Sequence, residues 1–196
     1  MTLALDLAGT FIFALSGGVA GLRRKLDLFG VVVVGLAAGT AGGIARDVLL
    51  GESPPLALRD WRYLSVAVFA SAATRVWQRQ IRRAAAVVVV LDAAGLGLFT
   101  VAGTLKALAL AVEPVGAIAL GLITGIGGGM LRDLLVGEIP LVLRRDVYAL
   151  AALAGATTAA VGQRLGLPVE VLAPAAAAVC FVVRVVAWRK RWQVPT

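Results

Sequence analysis

Six ionisable residues recur as two matching constellations: Asp6 with Arg46 and Asp47, and Asp92 with Arg132 and Asp133, each residue of the second lying 86 positions beyond its counterpart. Both sit in stretches otherwise almost free of charge. Buried at a bilayer centre, such groups cost about 2.5–3.5 kcal/mol each on insertion scales, so they pair, face a bundle interior or line a wet path. Two uses are open. Asp6 with Arg46, and Asp92 with Arg132, pin helices together as salt bridges, Asp47 and Asp133 holding the turns that follow. Alternatively the six ring two vestibules, where arginines oppose free cation entry unless carboxylates neutralise them, which makes gating their role. Familiar catalysis is excluded more firmly. The chain has no histidine, hence no imidazole base, triad or histidine metal ligand. Its single cysteine, Cys180, allows neither an internal disulfide nor a cysteine zinc cluster. We expect no enzyme, no cofactor, and no metal beyond a transient monovalent cation.

Glycines accompany the charges. Gly35, Gly39 and Gly43, and again Gly121, Gly125 and Gly129, recur every fourth residue, a spacing that lets helix backbones approach closely. Packing alone does not explain Gly125, Gly127, Gly128 and Gly129 together, since an interior glycine costs a helix about 0.8–1.0 kcal/mol against alanine. A kink or break is the sharper reading, with opened carbonyls facing a cavity that satisfies them and coordinating a cation. The candidate ion pathway is therefore Ser16, Thr40, Gly42, Gly43, Thr124, Gly127, Gly128 and Gly129. Most hydroxyls in apolar helices bond back to their own helix, which is the expectation for Thr10 and Thr100.

The elements that must position these residues follow from composition. Of 196 residues, 60% are apolar and 15% charged, with mean hydropathy +0.94; soluble domains run about 45–50% and about 25%. A bilayer core about 30 Å thick needs roughly 17–25 apolar helical residues. Seven such spans are predicted: Leu3 to Leu22, Leu28 to Leu50, Tyr63 to Trp77, Ala84 to Leu105, Pro114 to Val136, Val147 to Gln163 and Leu165 to Ala187. No basic residue precedes the first, and its apolar run exceeds a signal-peptide core, so it is read as a helix. Pro114 suits a first turn and Pro174 should kink the seventh span. Arg75 and Arg184, near span ends, are expected to snorkel toward headgroups.

Outside the spans, Arg23, Arg24, Lys25, Arg75, Arg79, Arg82, Arg83, Arg144, Arg145, Arg189, Lys190 and Arg191 fall on one side, against Arg59, Arg62, Lys106 and Arg164 on the other. By the positive-inside rule the N-terminus is outside and the C-terminus cytoplasmic. Trp61 and Tyr63 at one interface, and Trp77, Tyr148, Trp188 and Trp192 at the other, read as aromatic belts. The net charge of +8 is thus mostly topology, with anionic lipid a secondary partner and nucleic acid excluded.

At the offset of 86 the motif GG-x-x-RD-x-L-x-GE-x-P appears in both halves without a gap. Three spans per copy is an odd number, so the second copy enters the membrane from the opposite side. The fold class is an all-α membrane protein with seven transmembrane helices: a first three-helix repeat (1–83), a second, inverted one (84–165), and a seventh helix with a basic tail (166–196), a packing or lipid-facing addition. Inverted repeats place permeation sites near the midplane, where corresponding broken helices meet.

In LDLAGTFIFALSGG with GTAGGIARDVLLGESPP, and LDAAGLGLFTVAGT with GLITGIGGGMLRDLLVGEIP, the chain resembles the prokaryotic trimeric intracellular cation (TRIC) channels over nearly its whole length. The resemblance implies a homotrimer in the cell inner membrane, each protomer carrying an hourglass pore formed by spans one, two, four and five. It further implies kinks at the glycines of spans two and five, and conduction of monovalent cations, chiefly potassium. The same family is also described as glycine transporters, which implies alternating access for glycine or another small neutral solute as the second reading. The Lys-Glu-Val triplet of the animal members' lipid-linked control does not occur in this sequence.

Overall fold

Lipid offers no partner for a free backbone N–H or C=O, so apolar runs of this length bury their polar backbone in α-helix. The computed structural model describes residues 2–76, 85–144, 146–190 and 192. Trp77, Ala84, Arg79, Arg82, Arg83, Arg145 and Arg191, which entered the span and orientation expectations, lie outside the described residues.

The helices are α1 (Thr2–Arg23), α2 (Leu28–Leu49), α3 (Leu56–Arg59), α4 (Trp61–Ala73), α5 (Ala85–Ala109), α6 (Pro114–Leu135), α7 (Leu141–Arg144), α8 (Asp146–Arg164) and α9 (Val169–Arg189). Five of them, α1, α2, α5, α6 and α9, are long and apolar enough to cross a bilayer, with mean hydropathies of 1.7 to 2.1. The chain is a multi-pass membrane protein. Its other two expected spans are weaker: α4 has 13 described residues, about 20 Å of helix, and α8 is rich in alanine, glycine and threonine. The short α3 and α7 fall in segments read from sequence as loops.

Local chemistry sets the ends. The Asp27 carboxylate accepts from the Gly30 N–H at 2.7 Å and starts α2, Asp60 caps α4 by accepting from the Arg62 N–H at 3.0 Å, and Pro114 opens α6. The Arg62 guanidinium bonded to Asp60 also holds that carboxyl below its ordinary range. The repeated Gly-Glu ends α2 and α6. Gly51 and Gly137 take left-handed backbone, φ 75° and 71°, which lets the Glu52 N–H reach Asp47 O at 2.9 Å and the Glu138 N–H reach Asp133 O at 2.8 Å. This six-residue closure satisfies carbonyls that the helix end would leave bare. Helices α2 and α6 consequently begin and end 86 residues apart.

Helices α1, α2, α6 and α5 form a closed ring in that order, with α4 packed on α1 and α2, α8 on α5 and α6, and α9 on α5 and α8. The glycines make the α2–α6 crossing. A Cβ on Gly42 would overlap the Thr124 carbonyl oxygen, and one on Gly128 the Ala38 carbonyl oxygen. The same crossing is thus seen from either helix at the offset of 86. The opened turns expected here are not found: α2 and α6 run as uninterrupted α-helix through every glycine. Lacking side chains, these residues let a neighbouring backbone come close without surrendering their own hydrogen bonds. Helix α9 likewise continues through Pro174.

Candidate functional site

Near the start of α1 and the end of α2, Arg46 donates through Nη1 and Nη2 to the two Asp6 oxygens, at 2.7 and 3.0 Å, and through Nε to Asp47 Oδ1 at 2.8 Å. All three side chains are buried. Asp47 Oδ2 accepts from the Leu56 N–H at 2.9 Å, tying α3 under the helix end. Lys106, in the last turn of α5, donates to Asp47 Oδ1 at 2.8 Å and is ion-paired with Glu52. The Tyr63 hydroxyl approaches Asp6 Oδ2 at 3.4 Å. A buried ion pair holds only when its remaining polar atoms are also met, and this pairing of α1 with α2 recruits α3, α4 and α5 to do so.

The second constellation repeats the Arg–Asp–Asp plan, but Asp92 Oδ2 is buried without a hydrogen bond among the described residues. Arg132 Nη1 donates to Asp92 Oδ1 at 2.8 Å and to Ser16 Oγ at 2.6 Å, and Nε donates to Asp133 Oδ1 at 2.9 Å. Asp133 Oδ2 accepts from the Leu141 N–H at 3.0 Å. Tyr148 lies beside Asp92, with its hydroxyl oxygen and Asp92 Oδ1 each 3.0 Å from where a Cβ on Gly129 would stand. The Arg184 guanidinium covers the Tyr148 ring at 4.8 Å. At the surface Arg24 pairs with Glu138 at 2.6 Å, both about half exposed.

Three sequence expectations are corrected. Arg184 is 1% exposed and does not snorkel; it turns inward onto an aromatic face. Tyr63 and Tyr148 are buried against carboxylates and are not belt residues, whereas Trp61 is exposed as expected. Lys106, tallied as a loop charge, belongs to the Asp6 cluster.

Ten residues of α1 separate Asp6 from Ser16, about 15 Å of helix. Between the two clusters Phe13 and Phe99, another pair at the offset of 86, stack with centroids 5.5 Å apart and planes 22° apart. On the Asp92 side a cavity of about 470 Å³ is lined by Ala20, Arg23, Arg24, Arg132, Asp133 and Glu138 among others. On the Asp6 side a pocket of about 10 Å³ is lined by Asp6, Thr10, Thr40, Gly43, Arg46 and Phe99 among others. Thr40 and Gly43 thus face the small pocket, Ser16 and Gly129 the Arg132 cluster, and Gly42, Gly127 and Gly128 the helix crossing. The hydroxyls of Thr40 and Thr124 donate back to Leu36 O and Leu120 O at 2.8 and 2.6 Å. Those of Thr10 and Thr100, expected to do the same, are buried without a hydrogen bond among the described residues. No group of three or more Cys, Asp or Glu is placed to hold a metal ion among the described residues.

Residues 3–79 and 89–164 each match the family model described as Glycine transporter, the two matches starting 86 residues apart. The inner membrane protein YadS of Escherichia coli K12 is 37% identical over 98% of this chain and 94% of its own. A membrane protein of Deinococcus radiodurans is 42% identical over 78% of this chain and 72% of its own. Among solved structures, the TRIC trimeric intracellular cation channel orthologue from Rhodobacter sphaeroides superposes with a TM-score of 0.93 at 34% identity, covering 97% of this chain and 98% of that one. A prokaryotic TRIC channel in 0.5 M KCl gives 0.87 at 30% identity, covering 98% of both.

Proposed function

Because the chain belongs to the TRIC family, also named the glycine transporters, we propose that it is a cation channel that passes potassium through a path inside each protomer. The observation that carries this is the sequence of groups along the α1, α2, α5, α6 ring. A cavity of about 470 Å³ reaches the Asp92–Arg132–Asp133 cluster, the Phe13–Phe99 stack closes the middle, and a pocket of about 10 Å³ holds the Asp6–Arg46–Asp47 cluster. The buried, unpartnered Thr10 hydroxyl beside that pocket is the kind of oxygen that replaces part of an ion's hydration shell. In this reading the path is an hourglass shut at its waist and at the Asp6 end. Thr40, Thr124, Ser16 and the α2 and α6 glycines border it, the glycines letting those helices bend as it opens. The paired charges of Asp6, Arg46, Asp47, Asp92, Arg132 and Asp133 set its field and its gate.

We further propose seven spans: two inverted three-helix units (1–83 and 84–165) followed by α9 and its tail (166–196). Twin matches to one family model and equal end positions of α2 and α6 support this. By the positive-inside rule the arginine-rich ends support a reading with the Asp92 side in the cytoplasm of an inner membrane and the N-terminus outside. The solved TRIC relatives support assembly as a homotrimer, and the basic cytoplasmic side favours anionic lipid. The family's other name keeps one alternative, an alternating-access carrier for glycine, whose two charged ends find both signs in each cluster. Purified protein in planar bilayers tests the proposal: unitary potassium currents are the expected result, and saturable, countertransport-stimulated glycine uptake into proteoliposomes without unitary events would replace the channel with the carrier.

A further inference from the structure

The stacked rings of Phe13 and Phe99 are each held by a residue of the other's helix. A Cβ placed on Gly9 would stand 3.0, 3.1 and 3.2 Å from Phe99 Cδ1, Cε1 and Cγ, and one placed on Gly95 would stand 2.9, 2.9 and 3.0 Å from Phe13 Cδ1, Cγ and Cδ2. Both glycines are buried. They too are 86 positions apart, each four residues before the phenylalanine of its own helix. The contacts are nevertheless crossed, position 9 meeting 99 and position 13 meeting 95.

Other glycines of α1 and α5 meet different neighbours. Cβ atoms on Gly17 and Gly97 would run into the carbonyl oxygens of Val34 and Ala177, backbone that fixes how near one helix comes to the next. At Gly9 and Gly95 the three nearest atoms all belong to an aromatic ring. Carbon atoms pack at about 3.5–4.0 Å, so a methyl group at either place displaces the ring by about half an ångström. The ring has little room to answer, because a helix allows its long side chains two χ1 positions and crowds the third. We infer that Gly9 and Gly95 are the positioning residues of the waist: each is the seat that keeps the opposite helix's phenylalanine across the path, and filling a seat unlatches the stack. This rests on the proposed path through the α1, α2, α5, α6 ring and names the residues that hold it shut.

The test joins single-channel recording to melting temperatures of the purified full chain. Gly9→Ala and Gly95→Ala should each raise the open fraction of the unitary potassium current about tenfold. Gly21→Ala crowds Val31 of α2 at 3.2 Å from the same helix α1 and should leave the open fraction at the parent's value. An equal rise in Gly21→Ala, or no rise in Gly9→Ala and Gly95→Ala, would assign the seats to general packing and overturn the inference. The melting data test the crossing. The loss caused by Gly9→Ala should vanish in a Phe99→Ala background and persist in a Phe13→Ala background, since residues in contact couple and others add; the same loss in both backgrounds overturns the inference. If Gly9→Ala alone does not fold, recovery of folded protein in the G9A/F99A pair supports the seat and failure of that recovery overturns it. A parent protein without unitary currents would remove the channel reading and leave the seats to be decided by the melting data.

Discussion

Alanine at position 42 and alanine at position 43 should have opposite effects on stability, although the two glycines are adjacent in one helix. Both changes gain about 0.8–1.0 kcal/mol of helix propensity. At Gly43 the nearest neighbour of an added Cβ is Arg46 Nη2 at 4.0 Å, so the gain is realised. At Gly42 the Cβ overlaps the Thr124 carbonyl oxygen and stands 3.0 Å from its carbonyl carbon. Ordinary carbon contact needs about 3.5 Å, so the α2–α6 crossing must open by at least half an ångström, and the obstacle is backbone that cannot rotate aside. Overpacking of this kind costs about 1–3 kcal/mol, occasionally more, which against the propensity gain leaves Gly42→Ala at a net loss of about 1 kcal/mol. Gly128→Ala, facing the Ala38 carbonyl, should lose as much. Reversible unfolding of the purified variants in mixed detergent micelles gives the comparison directly. Equal stabilities for Gly42→Ala and Gly43→Ala would refute close approach as the reason for these glycines and return the argument to backbone bending.

Other consequences are equally open to measurement. Arg46→Ala alone should cost about 3–5 kcal/mol, because it strands Asp6 and Asp47 as buried carboxylates. Combined with Asp6→Ala it should cost less than the sum, and additive effects in a thermal-stability cycle would mean that the pair does not interact. Gly51→Ala should lose about 1–2 kcal/mol, the cost of a left-handed L-residue, despite open space around it; an unchanged melting temperature would refute the cap. Phe13→Ala removes half of the central stack and should raise single-channel conductance, with stability falling by about 3–5 kcal/mol. A conductance equal to the parent's would show that the ions do not pass between the rings.

The five long helices were legible because lipid dictates both their length and their hydropathy, whereas the pairing of Asp6 with Arg46 and of Asp92 with Arg132 was one of two uses that the sequence left open and is seen in ion pairs of 2.7 and 2.8 Å. What escaped was the direction in which side chains face. Position along a span tells how deep Tyr63, Tyr148, Lys106 and Arg184 lie; it does not tell which helix covers them, and all four were assigned to the surface or the interface. The tyrosines were further hidden because they stand 85 residues apart, so the offset of 86 aligns Tyr63 with Ala149. Glycine density pointed correctly to something unusual in α2 and α6. One chain read in isolation does not reveal that the partner of Gly42 is the carbonyl of Thr124, and that contact separates crossing from breaking. The short α3 and α7 were invisible for a different reason: four residues are too few for a periodicity, and their place is fixed by the side chains of Asp47 and Asp133, which accept the N–H groups of Leu56 and Leu141.

Ion passage through the protomer is the central claim, and a reversal potential tests it most directly. With purified protein in a planar bilayer between unequal potassium chloride solutions, unitary currents should reverse close to the potassium equilibrium potential, and glycine added to one side should leave that potential in place. Reversal at the chloride potential, or the absence of unitary current from preparations that move glycine, would contradict the claim.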